Sequence, residues 1–171
     1  YLITPEVFFD DRGFFLESFN HSKFTDATGT EFTFVQDNHS RSSKGVLRGM
    51  HYQVPPFEQG KLVRVISGKV LDAVIDLRKN SGTFGNWYTT ELSSENFKQL
   101  WIPPGFAHGF LTLSDTAELL YKTSNFYSKG HERSIAWNDS EINIDWGQVE
   151  EPIVSAKDKE ANSFRESEHF D

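Results

Sequence analysis

Apolar residues along the chain recur in short alternating or continuous runs, cut by Gly, Pro, Ser and Asn, and seldom at helical spacing. That punctuation predicts an all-β sandwich or barrel. The clearest runs, 61–66 and 70–77, are joined by Ser67-Gly68-Lys69, which reads as a hairpin turn. In the second run Asp72 and Asp76 share one face with Val70 and Val74, while Leu71, Ala73, Ile75 and Leu77 share the other. Further strands are expected over 32–36, 45–53, 86–92, 97–102, 109–113 and 119–125. Helix is scarce. One short helix is predicted after 18–20, stopping near Gly29, and another from Ser155, whose spacing to Asp158 resembles a capping box. Eight or more antiparallel strands with few helices imply a double-sheet jelly roll. No repeat or linker divides the chain, so residues 1–171 read as a single domain.

Composition narrows this further. A chain of 171 residues suits one domain that buries about 70% of its extended surface. The 37% apolar content is low, but 15% aromatic residues supply the missing bulk and argue against disorder. No apolar run is long enough for a membrane-spanning helix. The absence of cysteine removes disulfides, zinc–thiolate sites and Cys nucleophiles. No secretory signal is visible, so cytoplasmic is the default location; the chain opens at Tyr1 without Met, and whether a few residues precede it stays open. A net charge of −8 argues against nucleic acid as a partner. Yet between His39 and Arg64 five basic residues face one acid, Glu58. A local basic cluster on an acidic protein suits a small anionic ligand.

Two stretches carry more polar residues than a strand needs: Gly45-Val-Leu-Arg-Gly-Met-His-Tyr-Gln53 and Trp101-Ile-Pro-Pro-Gly-Phe-Ala-His-Gly109. Together they resemble the two halves of the cupin signature, with His51 and His108 at ligand positions and Glu58 at an allowed spacing. The position two after His51, normally a second His, is Gln53, and Thr112 replaces the usual Asn of the second half. That leaves two imidazoles, with Glu58 only at an allowed spacing, where metal cupins supply three or four ligands, so no metal is expected. His51 and His108 are then free for acid–base work. Arg48 stands three residues before His51, a spacing that a regular strand sends to opposite faces. A bulge at Gly49 would turn both inward. His21, His39, His131 and His169 lie among polar residues and read as structural.

Longer blocks make the resemblance specific. They are 9–15, 34–40, 45–53, 59–65, 99–110, Tyr121-Lys122, Ile135-Ala-Trp-Asn-Asp139 and Ser155-Ala-Lys-Asp158. In this order the sequence resembles the dTDP-4-dehydrorhamnose 3,5-epimerase family, metal-free cupins of nucleotide-sugar metabolism, nearly end to end. Departures are small: Met50 for Leu, Gly147 where Pro commonly follows the Trp, and a diverged tail after Asp158. The resemblance implies a cupin-type jelly roll without cofactor. Its substrate would be a dTDP-4-keto-6-deoxyhexose inverted at C3 and C5, both α to the C4 ketone.

By that resemblance His51 is the base and Asp158 orients and stabilises it, Tyr121 is the acid on the opposite face, and Lys61 offers positive charge to the enolate oxygen. His108 and Arg48 line the sugar and help hold the oxyanion or diphosphate. Arg12, Glu17, Gln36 and Asn38 fall at the nucleotide, some reaching across from the partner of a homodimer; Tyr127 would stack on the base, with Glu132 and Lys157 nearby. Taken singly, Tyr121 reads as a core aromatic, Asp158 as a helix-start carboxylate, and Arg12 and Glu17 as surface charges. A mono-epimerase acting at C3 or C5 alone is the nearest rival. A metal-dependent cupin and a non-catalytic sugar-nucleotide binder are the others.

Overall fold

Strands form where β-branched and aromatic residues alternate with polar ones, and the chain turns where Gly relieves positive φ. The computed structural model describes residues 1–147, 149 and 151–171. In chain order the elements are β1 (Leu2–Ile3), β2 (Val7–Asp10), β3 (Gly13–Leu16), α1 (His21–Thr28), β4 (Gln36–Ser43), β5 (Leu47–Gln53) and β6 (Lys61–Ser67). There follow β7 (Lys69–Asp76), β8 (Trp87–Ser93), β9 (Gln99–Ile102), β10 (Phe106–Thr112), β11 (Thr116–Thr123), β12 (Glu132–Ser134) and α2 (Ala156–Lys159). Two five-stranded sheets, ordered β1-β9-β6-β11-β4 and β12-β5-β10-β7-β8, face each other, and β2–β3 form a separate hairpin. All ladders between these strands are antiparallel. This is the expected cupin-type double-sheet jelly roll.

Two expectations need correction. The run 61–66 and the run 70–77 do not form a hairpin: β6 pairs with β9 and β11 in one sheet, and β7 with β8 and β10 in the other. Gly68 is the corner between sheets, at φ +73 and with its missing Cβ overlapping the Thr116 carbonyl. Turn chemistry is the same for a hairpin and a corner; the neighbours that occupy each strand edge decide. Nor is 32–36 a strand. Phe32 and Phe34 pack with Phe24 on Trp101, and β4 begins only at Gln36. The other strands lie within a few residues of expectation.

Both helices form as read. Asn20 caps α1 by accepting from the Lys23 N–H, and Gly29 closes it in the left-handed region. Ser155 caps α2 by accepting from the Asp158 N–H. The Asp158 carboxylate, however, is committed to His51.

The core explains where a cavity can exist. Between the sheets, Val63, Val65, Val70, Val74, Leu92, Leu100 and Leu119 fill the β7–β8–β9 side. The outer face of the second sheet is buried by the C-terminal segment through Ile142, Trp146 and Phe164. Burial on both faces accounts for apolar residues on both sides of β7, Val70 and Val74 facing one way and Ala73 and Ile75 the other. Toward β4, β5 and β12 the inward positions turn polar, and the sheets stand apart around a cavity.

Candidate active site

The cavity, about 250 Å³, is lined by Arg48, His51, Lys61, His108 and Tyr121, and further along by Gln36, Asn38, Tyr127 and Glu132. Nine of the thirteen residues singled out in the sequence thus meet in one place. Asp158 stands behind His51, and Lys157 reaches the rim through Glu132, with Nζ 2.5 Å from its carboxylate. Arg12 and Glu17 do not reach it: Arg12 is exposed and paired with Asp10, and Glu17 with Lys23. Neither residue lines the cavity of its own chain.

The bulge at Gly49 is present. His51 pairs with His108 and Arg48 with Phe110, so β5 spends one residue more than β10 over this interval. A Cβ on Gly49 would lie 2.6 Å from the Gly109 Cα, and one on Gly109 only 2.7 Å from the Met50 Sδ. Two glycines meeting backbone to backbone permit the slip that turns Arg48 and His51 to the same side. Arg48 is then held by the Ser42 hydroxyl, which accepts from Nε at 3.0 Å.

His51 Nε2 lies 2.6 Å from the Asp158 carboxylate, whose side chain is 3% exposed. Burial works to raise the Asp158 pKa, but the hydrogen bond and charge of His51, with Ser155 and the Gly49 N–H, hold it below the usual range. With Nε2 taken, Nδ1 is the nitrogen left to accept a proton. His108 Nε2 is likewise 2.9 Å from Asp72, which is fully buried.

Across the interior, Tyr121 projects from the first sheet. Burial raises its phenol, with the Arg48 charge opposing, so it is protonated at neutral pH. Lys61, 8% exposed, donates to the His51 carbonyl at 3.1 Å. Burial pushes its ammonium down to about 8 against the pull of Asp72 and Glu132. Burial alone would raise Glu132, yet bonds from Lys157 and Tyr127 bring it below the ordinary range.

The donor set does not suit a metal. Both imidazoles have Nε2 taken by a carboxylate, Gln53 spends both ends of its amide on backbone, and Glu58 lies outside the cavity. Among the described residues no group of three or more His, Cys, Asp or Glu is placed to hold a metal ion. No helix among them is long and apolar enough to cross a membrane.

Asp72 and Ser40 are among the site residues that sequence reasoning missed. Asp72 shares a face of its run with Val70 and Val74, but nothing local points to its partner, 36 residues away on a neighbouring strand. Ser40 lines the cavity with a buried hydroxyl lacking a partner, and only its alternation with Gln36 and Asn38 on β4 signalled it.

Comparison with known proteins gives a consistent picture. A family model described as dTDP-4-dehydrorhamnose 3,5-epimerase matches residues 1–166. A dTDP-4-dehydrorhamnose 3,5-epimerase of Shigella flexneri is 56% identical over 99% of this chain and 93% of its own length. The crystal structure of the enzyme of that name from Elizabethkingia anophelis superposes with a TM-score of 0.93 at 51% identity, covering 96% of this chain and 91% of that one. A dTDP-6-deoxy-D-glucose-3,5-epimerase from Legionella pneumophila, solved in complex with dTDP-4-keto-L-rhamnose, gives 0.94 at 46% identity, covering 98% and 88%.

Proposed function

This chain belongs to the dTDP-4-dehydrorhamnose 3,5-epimerase family, and on that premise we propose that it inverts C3 and C5 of a dTDP-4-keto-6-deoxyhexose through an enolate, without metal or cofactor. The observation that carries the residue roles is the convergence on one cavity of a carboxylate-held imidazole, a protonated phenol and a buried ammonium.

The chemistry follows from the substrate. C3 and C5 each flank the C4 ketone, so removing either proton leaves an enolate whose charge rests on the ketone oxygen. Neutral His51 takes the proton at Nδ1, and Asp158 stabilises the imidazolium that forms. The Lys61 ammonium offsets the charge on the enolate oxygen in a site of low dielectric. Tyr121, on the facing sheet, returns a proton to the opposite face of the ring, which inverts the centre. The tyrosinate regains a proton from solvent and the imidazolium releases one, closing the cycle. Arg48 and His108 hold the sugar and diphosphate oxygens, as the fork of an Arg suits phosphate.

Gln36, Asn38, Tyr127, Glu132 and Lys157 take the nucleotide. The same reading makes the protein a homodimer in which the hairpin β2–β3 brings Arg12 and Glu17 to the partner's cavity. The exposure of Phe8, Phe9, Phe14 and Phe15 on that hairpin, at 54–70%, supports it, since such an apolar surface calls for cover. On the same reading we propose that the enzyme works in the cytoplasm, in L-rhamnose-type deoxysugar synthesis for cell-surface polysaccharide.

Incubation of dTDP-4-keto-6-deoxyglucose with the protein in heavy water tests the reaction. Deuterium at both C3 and C5 is the expected result, and deuterium at one carbon alone would mark a mono-epimerase instead. His51→Asn should retain dTDP affinity and lose turnover; unchanged turnover would remove His51 from the role of base.

A further inference from the structure

The loop between β11 and β12 is fastened by three glutamine side chains. Gln53, at the end of β5 and 4% exposed, donates from Nε2 to the carbonyls of Phe57 at 2.6 Å and Phe126 at 3.1 Å. Its Oε1 accepts from the Ser128 N–H at 2.7 Å. Gln59 donates to the Asn125 carbonyl at 2.8 Å, and Gln36 accepts from the Tyr127 N–H at 3.1 Å. Each residue from Asn125 to Ser128 therefore has a main-chain group tied to a glutamine.

That density of side-chain anchors is unusual for a loop with no ladder partner, whose backbone would otherwise open at little cost. What the segment carries is Tyr127, whose phenol donates to Glu132 at 2.8 Å while 55% of the residue stays exposed. An aromatic ring held at both its backbone and its hydroxyl is a preformed surface, and preorganisation favours binding by removing the cost of ordering it.

We infer that Gln53 is a positioning residue, whose amide holds residues 125–128 so that Tyr127 presents its ring as a ready stacking face for the nucleobase of the substrate. The inference rests on the nucleotide-sugar reading above. Gln53 borders the cavity, but its amide is spent on main-chain groups, so it acts through Tyr127.

Gln53→Glu tests this with little change of shape. The variant keeps an acceptor for the Ser128 N–H but sets a carboxylate oxygen against two carbonyls. Calorimetric titration with dTDP at pH 8 should give affinity about tenfold weaker than wild type, the scale of one or two buried bonds lost. KM should rise by more than kcat falls. As pH is lowered and the new carboxyl protonates, it can donate again, and the loss should shrink. In a Tyr127→Ala background the same substitution should cost less than about twofold, because its route to the ligand is gone. Unchanged dTDP affinity for Gln53→Glu, or an equal loss with and without the Tyr127 ring, would overturn the positioning role alone. Wild-type affinity in Tyr127→Ala itself would overturn the stacking face, and wild-type protein that fails to bind dTDP would overturn the nucleotide-sugar reading. Should Gln53→Glu not fold, Gln59→Leu removes a single anchor; it should weaken dTDP about threefold and lose that effect in the Tyr127→Ala background, and a loss of equal size there overturns the role.

Discussion

Lys61→Met should make the protein more stable and nearly inactive at once. In the native state burial pushes the Lys61 ammonium from 10.5 down to about 8, a drop that corresponds to roughly 3 kcal/mol of folding free energy at neutral pH. Removing the amine also forfeits its bond to the His51 carbonyl, about 1 kcal/mol. The net gain of about 2 kcal/mol should raise Tm by about 4–8 °C at pH 7, for a domain of this size. The sign follows from proton counting: between about pH 8 and 10.5 the unfolded chain binds the proton that the native state has lost, so wild-type stability rises with pH across that window. The advantage of Lys61→Met should therefore narrow above pH 8. Turnover should fall about 10²–10³-fold, the scale of losing one charge from an oxyanion site. Calorimetric melts at pH 7 and 10, with exchange rates in heavy water, measure both effects. A variant that melts at or below wild type at pH 7 would refute the reasoning, because the cation would then carry no net burial cost.

Two further substitutions probe the frame around His51. Asp158→Asn removes the carboxylate that steadies the imidazolium; kcat should drop about 10²–10⁴-fold while KM, read from the same initial rates, stays near wild type. Because the Asp158 pKa is held below the usual range, its contribution is present above the ordinary carboxylate pKa and lost as pH falls through the native one, so acid melts of the variant should lack that loss. Gly109→Ala would place a methyl 2.8 Å from the Arg48 carbonyl and 2.7 Å from the Met50 Sδ. It should cost about 1–3 kcal/mol by denaturant titration and reduce kcat by shifting His51.

Legibility in the sequence depended on whether a signal was local. The caps of α1 and α2 were readable because Asn20, Gly29 and Ser155 act within a few residues of themselves. The bulge was readable from Gly49 lying between Arg48 and His51, although its cause, the close approach of Gly109, belongs to another strand. Phe32 and Phe34 alternate like a strand and are instead ring contacts on Trp101, since alternation reports burial rather than pairing.

By itself the sequence determined the class of fold and the motif blocks, because periodicity, turn chemistry and motif spacing are written in order along the chain; resemblance to a known family is what pointed to nine of the residues that line the cavity. Only the tertiary structure decided which strands pair, that Gly68 is a corner between sheets, and that Asp72 serves His108. The same holds for Gln53, whose partners lie four and more than seventy residues away. Contacts across that distance depend on how two sheets pack, and packing is a property of all the side chains together.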